Sequence, residues 1–310
     1  MLSTKASPVL LATIKGGKYD GEHIYYHDII DDKNIMCVDL FDILQEDDVR
    51  SLKKKMSVKD IKDLKKALIN KVEPNNPELN EMFNILKDKV RTESIKKIKI
   101  YDDGVIIPTP FINDLNSDER SIHQYIAGAT GSGKTYYVAR YLELITKLYK
   151  KKKIFIFSDV EEDKLLDKFK VTRIALNEEI VDNPILPSEL ANSIVLFDDI
   201  DSIPNKNIKK AVETLRDSLL KRGRHENIHV ITTNHLLTDY KNTRVLLSEC
   251  CMVVFFPRSG STHSINYLLT KYIGLSKKQI AEIFKMPSRS VCIYKNYPQT
   301  VISDKEIYIL

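Results

Sequence analysis

Tryptophan is absent from the 310 residues, cysteine occurs only four times, and no apolar run reaches membrane length. The longest uninterrupted apolar stretch is seven residues, Cys250 to Phe256, against the roughly 20 that a membrane-spanning helix needs. The amino terminus lacks the basic-then-apolar order of a signal peptide, so the chain is expected to be neither membrane-embedded nor secreted. Cys37, Cys250, Cys251 and Cys292 show no CxxC spacing. That argues against a zinc finger and, with Cys250 and Cys251 adjacent, against a disulfide framework. Internal repeats and low-complexity tracts are missing as well. What is there, 43% hydrophobic and 29% charged residues, is the composition of a folded chain rather than a disordered one. Its length exceeds one typical domain of roughly 100 to 200 residues, so two are expected.

Net charge is also small, +5, until it is divided along the chain. Residues 1–120 carry 20 Lys and Arg against 22 Asp and Glu; residues 121–201 carry 11 against 13; residues 202–310 carry 17 against 8. The positive excess therefore lies beyond Asp201, where an anionic partner would be met. Lys outnumbers Arg 37 to 11, a bias that an AT-rich genome produces without any such partner.

Short apolar runs punctuated by Gly16-Gly17, Asp20-Gly21 and Asp31-Asp32 predict strands at 9–14, 23–27 and 35–40. Helical spacing predicts helices over 49–72 and 79–90, separated by Pro74 and Pro77. An extended run at 95–101 then meets Asp103-Gly104, a hairpin signal leading into Val105-Ile106-Ile107. Lys53-Lys54-Lys55 and Lys96-Lys97 read as solvated faces, and this region is assigned no chemistry. From Ser121 strands alternate with helices, which predicts a mainly parallel sheet with helices on its faces. Its strands are expected at 122–127, 154–158, 171–176, 194–197, 228–233 and 252–256, followed by short helices at 265–273 and 277–284 and strands at 291–294 and 306–310. Ser276 is the expected N-cap of the second short helix.

Gly128-Ala129-Thr130-Gly131-Ser132-Gly133-Lys134-Thr135 matches GxxxxGK(S/T) without a gap, after an apolar strand and before a helix. The glycines let the backbone curl round an anion, and the free amides of the helix N-terminus point at its phosphates. Lys134 adds positive charge near the β and γ phosphates, and Thr135 offers a hydroxyl to Mg2+. The pattern thus implies ATP and Mg2+. Ile194-Val195-Leu196-Phe197 ends in Asp198-Asp199, the hhhhD(D/E) acidic strand end. Asp198 is expected to hold the magnesium and Asp199 to polarise the attacking water. Glu is the usual residue in the second role, and Asp201 stands two positions on as an alternative base. The run Ile228 to Thr233 ends in Asn234-His235, which puts a polar side chain at the end of an extra strand beside the phosphate loop. An amide there would orient water or sense the γ phosphate. Arg222 and Arg224 close the preceding helix, where they fit a neighbouring subunit's phosphate, DNA, or the helix C-terminus.

The ordered set GATGSGKT, IVLFDD, KRGRHENIHVITTNH and a C-terminal segment opening FFPRSGS and containing Ser288-Arg289 resembles the genome-packaging ATPases of poxviruses and other large DNA viruses. These form a branch of the FtsK-HerA superfamily of P-loop motors. The resemblance covers about residues 120–310 and implies an α/β fold. Its RecA-like P-loop NTPase core, a mainly parallel sheet between helices, would occupy 119–310, with a smaller α+β domain over 1–118. It further implies a double-stranded DNA translocase that packages a viral genome, at a host-cytoplasmic assembly site or in the virion. A ring of five or six subunits would dock on a viral capsid or portal-like protein. Lys134 and Thr135 would be the Walker A pair, Asp198 and Asp199 Walker B, and Asn234 the polar residue that is usually glutamine. Arg289, Arg222 and Arg224, with Arg258 behind them, are the candidates for an arginine contributed across the subunit interface. A single-strand motor would stack bases on aromatic side chains, and the missing tryptophan weighs against it. A nucleotide-dependent assembly switch with slow hydrolysis is the remaining alternative.

Overall fold

The computed structural model describes residues 1–27, 56–70, 72–112, 121–239 and 243–310. The strand expected at 35–40, Lys53-Lys54-Lys55, the first turns of the helix expected from Val49, and residues 113–120 lie outside them. The N-terminal part holds β1 (Leu2–Ser3), β2 (Val9–Lys15) and β3 (His23–Tyr26). Two helices follow, α1 (Val58–Asn70) and α2 (Pro77–Lys96). Ser57 caps α1 by accepting from Asp60 N at 3.1 Å while Asp60 accepts from Ser57 N at 2.9 Å. Asn76 and Pro77 open α2, Asn76 accepting from Glu78 N at 2.9 Å. The helices pack through Leu64, Phe83 and Leu86.

After α2 come β4 (Lys97–Lys99) and β5 (Val105–Ile112). The expected hairpin about Asp103-Gly104 does not form, because the two strands enter different sheets. β5 pairs antiparallel with β2, Ile106 opposite Ile14, completing a four-stranded sheet in the order β1-β3-β2-β5. β4 is the edge of the large sheet instead.

The large sheet takes in β6 (His123–Ala127), β7 (Lys153–Ser158), β8 (Val171–Ile174), β9 (Ser193–Asp198), β10 (His229–Asn234), β11 (Met252–Phe255), β12 (Val291–Tyr294), β13 (Thr300–Ser303) and β14 (Glu306–Ile309). Their order is β4-β14-β13-β12-β11-β6-β10-β9-β7-β8. The pairs from β11 across to β8 are parallel, and those from β12 to β4 are antiparallel. The crossovers carry α3 (Lys134–Leu148), α4 (Glu179–Asp182), α5 (Lys206–Arg222) and α6 (Arg244–Glu249). Beyond β11 come α7 (Thr262–Tyr267), continued by a π-helical turn over Leu268–Tyr272, and α8 (Lys277–Lys285). Ser276 caps α8 in a reciprocal pair with Gln279.

Both faces of the parallel strands are covered, as an uninterrupted apolar strand requires. One face buries Val212, Leu219 and Leu220 of α5 with Tyr125, Phe157, Phe197 and Val230, where the Phe157 and Phe197 rings stack at 4.9 Å. The other buries Val138, Tyr141, Leu142 and Ile145 of α3 together with Leu11, Ile14 and Ile24 of the N-terminal sheet. The architecture is an α/β P-loop NTPase fold. Among the described residues no helix is long and apolar enough to cross a membrane.

Candidate functional site

At the C-terminal edge of the sheet the register sets Ala127 level with Asn234 and Phe255, Ser158 level with Asp198, and Thr232 level with Phe197. That edge is where ligands bind in open parallel sheets. β6 is buried throughout and stops at Ala127; the chain then turns, Gly128 N donating to Asn234 O at 3.0 Å. A Cβ on Gly128 would stand 2.6 Å from Ser132 Oγ and 2.6 Å from the Phe256 ring, so only glycine fits there. Gly133 ends the loop at φ 107° and Lys134 begins α3. The first amides of α3 have no partners within the helix and stand at the end of the loop, where a helix N-terminus favours an anion. Ser132 Oγ is buried with no hydrogen-bond partner. An anion in the loop would meet this hydroxyl and those amides, so Gly128 through Thr135 fit a nucleotide's phosphates.

The acidic pair is shaped by one hydroxyl from the strand between it and the loop. Asp198 closes β9, and Asp199 takes the left-handed backbone at φ 46°, a strained state for a non-glycine residue. Asp199 N donates to Thr233 Oγ1 at 2.8 Å, and that hydroxyl lies 2.8 Å from Asp198 Oδ1 and 3.1 Å from Asp199 Oδ1. A hydroxyl has one proton, so Asp198 at the shorter distance receives it. Burial holds the Asp198 carboxyl above its ordinary pKa, the Thr233 hydrogen bond and Lys134 opposing and the Asp199 charge adding.

Lys134 closes the arrangement. Its Nζ donates to Gly128 O at 2.9 Å and pairs with Asp199 Oδ2 at 3.2 Å. His235 stands over both, Nδ1 3.5 Å from Lys134 Nζ and Nε2 3.5 Å from Asp199 Oδ2. Its backbone N donates to Asp201 Oδ2 at 3.1 Å. The phosphate loop and the acidic strand end are therefore in direct ionic contact across β10. Asp199, Asp201 and His235 place ligand atoms within 4.8 Å of one another, a group able to hold a cation. The carboxylate oxygens of that group suit Mg2+, and Asp201 Oδ1 is buried without a partner.

The remaining expected residues are distributed unevenly. Side chains alternate along a strand, so when Thr233 points at the acids its neighbour points away. The Asn234 amide turns to the Tyr125 hydroxyl, and Asn234 Oδ1 is buried without a partner. Arg222 and Arg224 are exposed and precede His229, the far end of β10. Five strand steps of about 3.3 Å separate that end from Asn234, about 16 Å, so neither arginine reaches this chain's own phosphate loop. Arg258 is exposed just past β11, on the same edge as the loop. Arg289 lies on the loop itself: Nε donates to Ser132 O at 2.9 Å and Nη2 to Gly131 O at 3.1 Å. Sequence reasoning passed over Thr233 and His235, although both flank the polar strand end that it singled out.

No protein-family model matches the chain. Solved structures similar to it include the genome packaging NTPase B204 of Sulfolobus turreted icosahedral virus 2 in complex with AMPPCP. It is 16% identical, with 61% of this chain and 97% of that one covered and a TM-score of 0.41. The cytoplasmic domain of the type VII secretion ATPase EccC of Thermomonospora curvata is 13% identical over 64% of this chain and 27% of that one, TM-score 0.41. The pCW3 conjugation coupling protein TcpA is 13% identical over 72% and 81%, TM-score 0.40. In sequence, uncharacterized protein V3 of Sputnik virophage is 40% identical over 176 residues, which are 56% of this chain and 71% of that protein. With identity of that order across more than two thirds of the virophage protein, the chain belongs to the same family as protein V3.

Proposed function

We propose that the chain is an ATP-hydrolysing motor that moves double-stranded DNA, packaging a viral genome into a capsid as a ring of five or six copies. The observation that carries this reading is the 3.2 Å contact between Lys134 of the phosphate loop and Asp199 of the acidic strand end, with Thr233 of the strand between them hydrogen-bonded to both acids' residues. One Lys and two Asp side chains on one sheet edge support roles in binding phosphate, holding the metal and polarising water. The virophage source of the relative supports a viral setting, and the excess of 17 Lys and Arg over 8 Asp and Glu after Asp201 supports an anionic polymer as partner.

Bound Mg2+-ATP would supply the phosphoanhydride and the cation that neutralises its developing charge. Lys134 then exchanges Gly128 O and Asp199 for phosphate oxygens. Thr135 and Asp198 would hold the metal, and the released Asp199 would accept a proton from the attacking water. Thr233 orients the Asp198 carboxylate at 2.8 Å and, by accepting from Asp199 N at 2.8 Å, the turn that carries Asp199. Arg222 and Arg224 are exposed and precede the end of β10 remote from their own site, which suits them to a neighbouring subunit or to DNA.

The test is ATP turnover of the assembled protein with and without duplex DNA. Duplexes of unrelated sequence should stimulate alike, and the stimulation should fall steeply as salt is raised from about 50 to 200 mM. Absence of stimulation at low salt by any duplex would overturn the DNA-motor reading.

A further inference from the structure

We propose that Arg289 is a positioning residue that acts in cis: it holds the outer carbonyls of its own phosphate loop and so sets the loop's amides for nucleotide. The proposal rests on the reading of Gly128 to Thr135 as a nucleotide site. Two of the five guanidinium N–H donors are committed to the loop, at 2.9 Å to Ser132 O and 3.1 Å to Gly131 O. The guanidinium also lies against Gly133, where a Cβ would approach Nε to 3.2 Å and Cζ to 3.4 Å. Glycine at 133 is required by its φ of 107° and leaves room for this close approach.

Peptide planarity turns this grip into a constraint on the amides. In a trans peptide the carbonyl and the following N–H point in opposite directions. Fixing Ser132 O toward Arg289 sends the Gly133 N–H to the opposite side of the loop. Fixing Gly131 O likewise fixes the Ser132 N–H, which closes the turn onto Ala129 O at 3.0 Å. A charged donor makes such hydrogen bonds stronger than a neutral one. The guanidinium also brings positive charge to a loop that is to hold phosphates.

Arg289 is exposed, and the backbone at the base of its side chain is anchored. Arg289 N donates to Asp304 Oδ2 at 3.3 Å, Ser288 Oγ lies 2.9 Å from the same oxygen, and Asp304 N donates to Ser288 Oγ at 3.0 Å. Asp304 Oδ1 meets Arg140 of α3 at 3.6 Å. Asp304 occupies the turn between β13 and β14, so the antiparallel extension of the sheet is tied through Arg289 to the loop and through Arg140 to the helix that follows it. An arginine engaged in this way serves its own subunit's nucleotide, not that of a neighbour across a ring.

The experiment measures affinity for a fluorescent ATP analogue at protein concentrations where sedimentation shows a monomer, for wild type, Arg289→Ala, Arg289→Lys and Lys134→Ala. Thermal melting of each nucleotide-free protein separates folding from binding. Arg289→Ala should weaken binding about ten-fold in the monomer with an unchanged melting temperature. Arg289→Lys, which keeps the charge without the two-pronged geometry, should recover only part of the loss. Millimolar guanidinium ion should restore affinity to Arg289→Ala but not to Lys134→Ala. Wild-type affinity in both Arg289 variants, alongside weak binding by Lys134→Ala, overturns the cis role of Arg289 and leaves the phosphate loop intact. A loss of affinity accompanied by an equal loss of melting temperature, without guanidinium rescue, also overturns it. If wild type binds no better than Lys134→Ala, the phosphate-loop reading falls, and this proposal with it.

Discussion

The Asp199→Asn variant is expected to bind ATP within about threefold of wild type and to turn it over about 10²- to 10⁴-fold more slowly, the range for loss of a positioned general base. The structure gives the reason for the split. The substituted amide can donate its NH2 to Thr233 Oγ1, which lies 3.1 Å from Asp199 Oδ1 and gives its own proton to Asp198, and the backbone bond from residue 199 N to Thr233 at 2.8 Å is untouched. The turn at φ 46° tolerates asparagine better than any other non-glycine residue except aspartate. What is lost is the negative charge that pairs with Lys134 at 3.2 Å. Removing it frees Lys134 for phosphate, so binding is retained or tightened while proton acceptance disappears. Measuring affinity by equilibrium titration and turnover by phosphate release in the same preparation checks both halves. Unchanged turnover would move the base to Asp201, or would favour a nucleotide-operated switch with little hydrolysis.

Stability should fall as the pH drops from about 6.5 towards about 4, before most carboxylates titrate. Two histidines at the opposite edge of the sheet are buried with unmet ring nitrogens, His123 Nδ1 and His229 Nε2. His123 is 7% exposed and His229 2%. Burial pushes the His123 imidazole down to about 4 and that of His229 well below its ordinary value, with Lys152 and His123 itself adding repulsion at His229. His229 packs on the Tyr149 ring at 4.5 Å and accepts from Ile122 N at 3.4 Å through Nδ1, which requires the neutral ring. Since both folded-state values lie below the unfolded one, the unfolded chain binds more protons in this window. Stability is therefore complete above about pH 6.5 and is lost as the pH falls. For His123, a drop from 6.5 to about 4 corresponds to about 3 kcal/mol. Urea unfolding at pH 7.5 and 5.0 measures the loss, and His123→Leu should reduce its size. Equal pH slopes for wild type and His123→Leu between these values would contradict the assignment.

The parts of this site that were legible in the sequence are the ones whose chemistry is contiguous. The phosphate loop is complete within Gly128 to Thr135, and the acidic strand end within Ile194 to Asp199. The extra strand beside the loop was legible from a short apolar run with a polar end, and β10 indeed lies between β6 and β9. The face of that strand was not legible. A strand has a period of two, so choosing between Thr233 and Asn234 needs the register, and a shift of one residue reverses every side chain. Arg289 bonds a residue 157 positions away, and no local pattern announces such a partner. β13 was missed because Thr300–Ser303 offers only Val301 and Ile302 as apolar residues, shortly after Pro298. β4 was sent to the wrong neighbour for a similar reason: Ile98 finds Ile307, some two hundred positions on, in preference to a local hairpin. The division at residue 118 is crossed by this pairing, and by the apolar layer in which Ile14 and Ile24 join Tyr141 and Ile145.

The central claim is that ATP turnover at this sheet edge drives movement along duplex DNA. Displacement of a third strand annealed to a duplex reads that movement directly, because the protein need not bind or melt the third strand to remove it. The assembled wild-type protein with ATP and Mg2+ should displace it at low salt, and Lys134→Ala, without the cation that pairs with Asp199 at 3.2 Å, should not. Displacement that is absent in wild type, or equal in wild type and Lys134→Ala, would contradict the account.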